Sequence, residues 1–134
     1  EPARSGLVLS LFDKERKPIR GFLDLKDVYR LRLNADLVVL SACRTALGTE
    51  IRGEGINGLR RGLAYAGAAR SISSLWSIDD RASSRFFGIF YSNLLEKKMT
   101  VAAALRATKI SMLADKRFSA RRFWAGFALE GDWR

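Results

Sequence analysis

Histidine is absent from this chain of 134 residues, and cysteine occurs once, at Cys43. Without histidine there is no imidazole to serve as the usual base for a nucleophile. A lone cysteine cannot close an internal disulfide, which fits a reducing compartment; the cytoplasm is the expected location. Proline is confined to Pro2 and Pro18. No apolar run reaches the ~18 residues of a transmembrane helix, and no signal peptide is visible, so no membrane association is expected. Repeats, low-complexity tracts and linkers are missing as well.

The residues present describe an ordinary globular balance, with 48% apolar and 28% charged. That is enough apolar surface to offset ordering entropy, so disorder is not expected. The length suits one domain. The net charge is +10, which raises nucleic-acid binding as a reading. The basic residues are scattered, however: the Lys14–Lys17 turn, Arg60 with Arg61, then Arg117, Arg121 and Arg122. They form neither an aromatic-interleaved stripe nor a zinc-finger spacing, and nucleic acid is not the favoured partner. The chain opens on Glu1 and runs directly into strand-like sequence. Upstream sequence, including N-terminal strands of the same domain, is therefore expected.

Strand and helix signals alternate. Leu7–Phe12 and Ile19–Leu23 flank a charged turn and read as a hairpin. Within 24–33, Leu25, Val28, Tyr29 and Leu31 fall near helical spacing. Residues 36–41, Asp-Leu-Val-Val-Leu-Ser, form a short apolar run suited to a central strand covered on both faces. Gly48, Gly53 and Gly55 punctuate a loop. A helix over 54–66 places Ile56, Leu59, Leu63 and Ala66 on one face, with Gly67 as its stop. Residues 69–76 read as another strand and 79–95 as a helix carrying Ala82, Phe86, Phe90 and Leu94. Thr100 is the expected cap of a helix with Val101, Ala104, Leu105, Thr108 and Met112 inward. Residues 123–129 close the chain as a strand. The fold class is α/β, with a mostly parallel sheet and helices on both faces. In such sheets functional groups gather at the carboxyl ends of strands. Cys43 follows one strand, Asp79 and Asp80 follow the next, and neighbouring strands would bring them to one crevice.

Cys43 lies in Ser41-Ala-Cys-Arg-Thr45, at a strand tip before a glycine-rich loop. A thiol there is placed for nucleophilic attack, given a base and oxyanion donors. Caspases carry a Gln-Ala-Cys-[Arg/Gln/Gly]-Gly signature with the histidine about 50 residues upstream; counted back from Cys43, that position precedes residue 1. A buried cysteine acting as a small hydrophobe is the competing reading. Arg44 gives no argument for any one role. Glu54 reads as a charge at a helix N-terminus, and Trp124 and Trp133 as packing residues.

Taken together, these segments resemble the CHAT domain family, caspase-like cysteine peptidases related to the separases. The likeness runs through Ser5-Gly-Leu-Val-Leu-Ser10, Asp36 to Gly48 around the cysteine, Gly53-Glu-Gly55, Ala66-Gly-Ala-Ala-Arg70 and Ser74-Leu-Trp-Ser-Ile-Asp-Asp80. It continues through Phe90-Tyr-Ser-Asn-Leu94, Ala103-Ala-Leu-Arg106 and Phe123-Trp-Ala-Gly-Phe-Ala-Leu-Glu-Gly131. The resemblance implies the C-terminal part of a single domain spanning 1–134, built as a caspase-like three-layer sandwich. It implies a cysteine endopeptidase with Cys43 as nucleophile, its backbone N–H as half the oxyanion hole, and an upstream histidine as base. No metal or cofactor is implied. Tetratricopeptide repeats upstream in the same protein are the implied architecture, and a protein or peptide is the implied substrate.

In caspase-like folds the loop after the neighbouring strand shapes the pocket for the residue preceding the cut. Asp79 or Asp80 there would favour arginine or lysine, with Trp76 and Ser77 as wall. Ser77-x-x-Asp80 is equally a capping box, and an aspartate in a first turn favours the helix dipole. One aspartate can cap while the other faces the pocket. The alternative to an enzyme is a catalytically inactive interaction module that keeps the fold.

Overall fold

The computed structural model describes residues 6–40 and 55–133. These fall into two compact units, 6–38 with 55–69, and 39–40 with 70–133. The motif around Cys43, Arg44, Gly48, Gly53 and Glu54 lies outside the described residues.

The first unit opens with the expected hairpin. Strand β1 (Gly6–Val8) pairs antiparallel with β2 (Phe22–Asp24), Leu7 opposite Leu23. Asp13 organises the tip, its Oδ1 accepting from the backbone N–H of Glu15 at 2.9 Å and of Lys17 at 2.8 Å. β2 ends where Asp24 caps helix α1 (Leu25–Arg30). Its carboxylate accepts from the Asp27 N–H at 2.9 Å, while Asp27 Oδ2 accepts from the Asp24 N–H at 3.2 Å. This reciprocal box satisfies two donors that a helix start otherwise leaves open.

Helix α2 (Gly55–Tyr65) buries Leu59 and Leu63. It lies close against α1 because its contact face carries glycine. A methyl on Gly62 would sit 3.0 Å from Val28 Cγ1, and one on Gly58 3.1 Å from Leu25 Cδ2. Gly67 ends the helical run as expected, in the left-handed region at φ 99°. Beyond it Ala68 forms a parallel bridge with Ala35, and the Ala69 N–H donates to the Ala35 carbonyl at 3.0 Å.

A three-stranded sheet orders β3 (Val38–Leu40), β4 (Arg70–Ser74) and β5 (Phe127–Gly131), and all of it but Val38 belongs to the second unit. β4 and β5 run antiparallel, from Arg70 opposite Gly131 to Ser74 opposite Phe127. The sequence pointed to a mostly parallel sheet with 36–41 as the central, doubly covered strand. Instead β4 takes the middle, with Ser71, Ile72, Ser73 and Ser74 buried, and β3 stands at its side half-buried. The final strand also begins four residues later than expected, because Arg121–Phe123 turns into one short 3₁₀ stretch.

Helix α3 (Asp80–Tyr91) buries Ala82, Phe86 and Phe90 at the expected spacing. Phe127 of β5 meets it, with ring centroids 4.3 Å from Phe86 and 5.0 Å from Phe87. Such pairs contribute about 0.5–1.5 kcal/mol each beyond their area. A π-turn follows at Ser92–Glu96. Helix α4 (Val101–Ala114) is capped by Thr100, whose hydroxyl accepts from the Ala103 N–H at 3.3 Å. Its five expected inward residues, Val101, Ala104, Leu105, Thr108 and Met112, are all buried. The chain is mixed α/β.

Candidate functional site

The expected pocket residues all fall in one short connection, from the end of β4 to the start of α3. The connection starts as an extension of the sheet. The Leu75 N–H donates to the Gly126 carbonyl at 3.0 Å, one step beyond the Ser74–Phe127 pair. Ser74 Oγ donates to the Trp76 carbonyl, which folds the chain back over the strand end.

Trp76 is held from two sides. Its indole Nε1–H donates to the Arg122 carbonyl at 3.0 Å. Its ring covers the backbone of Gly126, where a methyl would lie 2.8 Å from Trp76 Cε2. Only glycine admits the ring at that distance. Trp76 is nevertheless 41% exposed while its indole is held in orientation by that hydrogen bond. Ser77 is exposed, and Ile78 anchors the loop by turning inward.

The two aspartates separate in role. Asp79 is the N-cap of α3, its Oδ1 accepting from the Arg81 N–H at 3.0 Å and the Ala82 N–H at 3.1 Å. The Ser77-x-x-Asp80 box expected from the sequence is therefore replaced by a cap two residues later. The β4 ladder persists through Leu75 and Ile78 must be buried first, so the helix starts at Asp80. Asp80 stands exposed in the first turn, bonded to no other described side chain.

Cys43, the expected nucleophile, lies outside the described residues, three positions after Leu40 of β3. Its strand does neighbour β4 in the sheet, as the sequence argument required. No group of three metal-ligating side chains occurs among the described residues, and no described helix is long and apolar enough to cross a membrane.

The turn beneath Trp76 belongs to the site's support, which the sequence motifs do not point to. Residues 119–126 are tied internally by Trp124 Nε1–H to the Ser119 carbonyl at 3.2 Å and by the Ala125 N–H to the Arg121 carbonyl at 2.8 Å. The signal available in sequence was Trp124-Ala-Gly126, an aromatic beside two small residues. Of the two expected packing residues, Trp124 is half-buried, and Trp133 is 70% exposed.

The sequence profile of the CHAT domain matches residues 1–132. Human tetratricopeptide repeat protein 28 is 36% identical over 109 residues, covering 81% of this chain. The chain spans only about 4% of that protein's length. No solved structure matches. A profile match over almost every residue, with the cysteine segment and the β4–α3 connection in order, settles the classification: the chain belongs to the CHAT domain family.

Proposed function

We propose that this CHAT domain is a cysteine endopeptidase that cleaves after arginine or lysine, with Cys43 as nucleophile. The observation that carries the reading is the neighbouring of β3 and β4. The segments leading into them make the parallel bridge Ala35–Ala68. That arrangement supports one sheet edge receiving both the Cys43 segment and the Trp76–Asp80 connection. Strand ends at one edge are where α/β sheets collect their chemistry.

In this reading the Cys43 thiolate attacks the scissile carbonyl carbon. Backbone N–H groups hold the resulting oxyanion. A histidine from an upstream part of the longer protein takes the thiol proton and delivers it to the departing amine. The thioester that remains is hydrolysed by water, which regenerates the thiol. The fold is that of a caspase-like sandwich completed by upstream strands. Asp80 reads the basic side chain, since Asp79 already gives one oxygen to two backbone donors, and a carboxylate–guanidinium pair is strong and directional. Trp76 and Ser77 line the wall. The cytoplasm, which keeps the thiol reduced, is the setting. The test is turnover of a fluorogenic arginine peptide by the full-length protein, lost in Cys43→Ala and reduced in Asp80→Asn.

A second reading is favoured by one finding, the match to a protein named for its tetratricopeptide repeats. There the domain is a non-catalytic interaction module, and the full protein binds partners without cleaving peptides. An active-site probe that alkylates Cys43 with no peptide turnover supports this second reading.

A further inference from the structure

Helix α4 is apolar around nearly its whole circumference. Its inward side is buried. On the opposite side Ala103, Arg106, Ala107, Ile110, Leu113 and Ala114 share one face at helical spacing. All of them are exposed or half-buried, and the two large ones stand out, Ile110 at 50% exposed and Leu113 at 55%. Helix α3 differs, presenting Arg81, Ser84 and Arg85 to solvent. A helix that is apolar on every side is ordinarily covered on every side, and a contiguous exposed apolar patch marks an interface.

Charge identifies the chemistry of what covers it. α4 contains two cations, Arg106 and Lys109, and no acidic residue. No described carboxylate pairs with either. Lys109, three residues after Arg106 and four before Leu113, borders the face. It is half-buried, and burial holds its ammonium below the ordinary lysine pKa; a carboxylate brought beside it would favour the charge again. Ser111 offers a partner little, since its hydroxyl donates to the Ala107 carbonyl at 3.0 Å. The net charge of +10, with no acid on the face, disfavours a second copy of this chain as the occupant. The face is also shallow: three of its five apolar residues are alanine. Another helix can therefore come close to the α4 backbone while Ile110 and Leu113 enter its grooves. A membrane surface matches less well, because interfacial helices dip Trp, Phe and Leu into the acyl layer, and this face holds no aromatic residue.

We propose that the outer face of α4 docks an acidic amphipathic helix of a separate protein, whose apolar stripe packs on Ala103, Ala107, Ile110 and Leu113 and whose flanking carboxylates meet Arg106 and Lys109. The proposal holds for an active peptidase and for an interaction module alike. With a rise of ~1.5 Å per residue, α4 is ~21 Å long. A single face of that length buries the area of a reversible contact, with an affinity on the order of micromolar. The carboxylates set the orientation and the choice of partner more than the raw affinity.

The test immobilises the full-length protein and selects on it a phage library of amphipathic helices about four turns long. Their apolar stripe is built of leucine and alanine, and the flanking positions vary among Glu, Gln and Lys. Selected clones should carry Glu at the flanks. A fluorescein-labelled peptide of that sequence should bind at least about tenfold tighter than its Lys-flanked version in fluorescence anisotropy. Ile110→Glu/Leu113→Glu should weaken it by at least about tenfold, and the milder Ile110→Ser/Leu113→Ser by about threefold or more. Arg106→Glu should reverse the order of the Glu and Lys peptides, and circular dichroism checks that each variant folds. Failure to select any clone, enrichment of Lys at the flanks, or binding that survives both Ile110/Leu113 variants overturns the proposal. So does either rival occupant. Binding to phosphatidylserine–phosphatidylcholine vesicles that these variants abolish assigns the face to lipid. A dimer in light scattering that they abolish assigns it to a second copy. If nothing is selected and Leu113→Cys resists maleimide in the full-length protein, another part of the same protein covers the face, and the separate partner is overturned.

Discussion

At the scale of single residues, the account divides two adjacent carboxylates between structure and recognition. Asp79 holds two backbone donors of α3, so Asp79→Ala should lower stability by about 1 kcal/mol in chemical denaturation, and Asp79→Ser should recover most of it. Asp80→Asn should stay within about 0.5 kcal/mol of wild type while weakening arginine-peptide turnover. Equal stability losses at the two positions would contradict the division. Both aspartates were legible as a pair, but not which one caps. Ser77 and Asp79 are both good cap residues, and the choice between them is made by where the β4 ladder ends, a tertiary fact. Gly88 offers a second check: inside α3, a methyl there meets nothing within 4 Å. Gly88→Ala should therefore raise stability by up to ~1 kcal/mol in the same assay.

At the scale of elements, glycine and a buried polar chain set the packing. Gly62 lets α2 approach α1, and Gly62→Leu should cost about 1–3 kcal/mol by overpacking against Val28 and Leu25. Between α3 and α4, the Asn93 amide donates to Thr108 Oγ1 at 3.3 Å, Thr108 donates to the Ala104 carbonyl at 2.7 Å, and Lys97 Nζ donates to Asn93 Oδ1 at 2.9 Å. Thr108→Val leaves the buried Asn93 amide short of a partner and should cost about 1–3 kcal/mol. Periodicity identified Thr108 as inward and gave the buried faces of α4 and of α3 through Phe90, but it also set Leu94 inward, whereas the π-turn leaves Leu94 half-buried and buries Asn93. Asn93 was not legible, because an asparagine near a helix end reads as a surface or cap residue until the facing helix is known. The direction of β5 escaped for a related reason. A final strand after a helix fits either sense, and the short turn at 121–126, not composition, sends it back antiparallel to β4.

At the scale of the whole molecule, acid should loosen the fold. The Asp24 carboxyl is held below its ordinary pKa, chiefly by the backbone N–H of Asp27, and Asp115 likewise, chiefly by its side-chain bond from Arg117. A carboxylate whose folded pKa is depressed stabilises the fold above the ordinary carboxylate range and loses that contribution as pH falls through the folded value. Stability should therefore fall on acidification below about pH 4, and Asp115→Asn should flatten part of that decline in denaturation curves taken across pH. The alternation of strands and helices, the class and the family were readable from the chain; the antiparallel pairing of β5 with β4 and the turn under Trp76 needed long-range contacts. The central claim, that this domain cuts peptides through Cys43, is tested most directly by one assay: fluorogenic arginine-peptide turnover by the full-length protein, wild type beside Cys43→Ala. The account predicts measurable wild-type turnover that drops by at least about a thousandfold in Cys43→Ala; equal turnover in the two proteins, or none in the wild type, would contradict it.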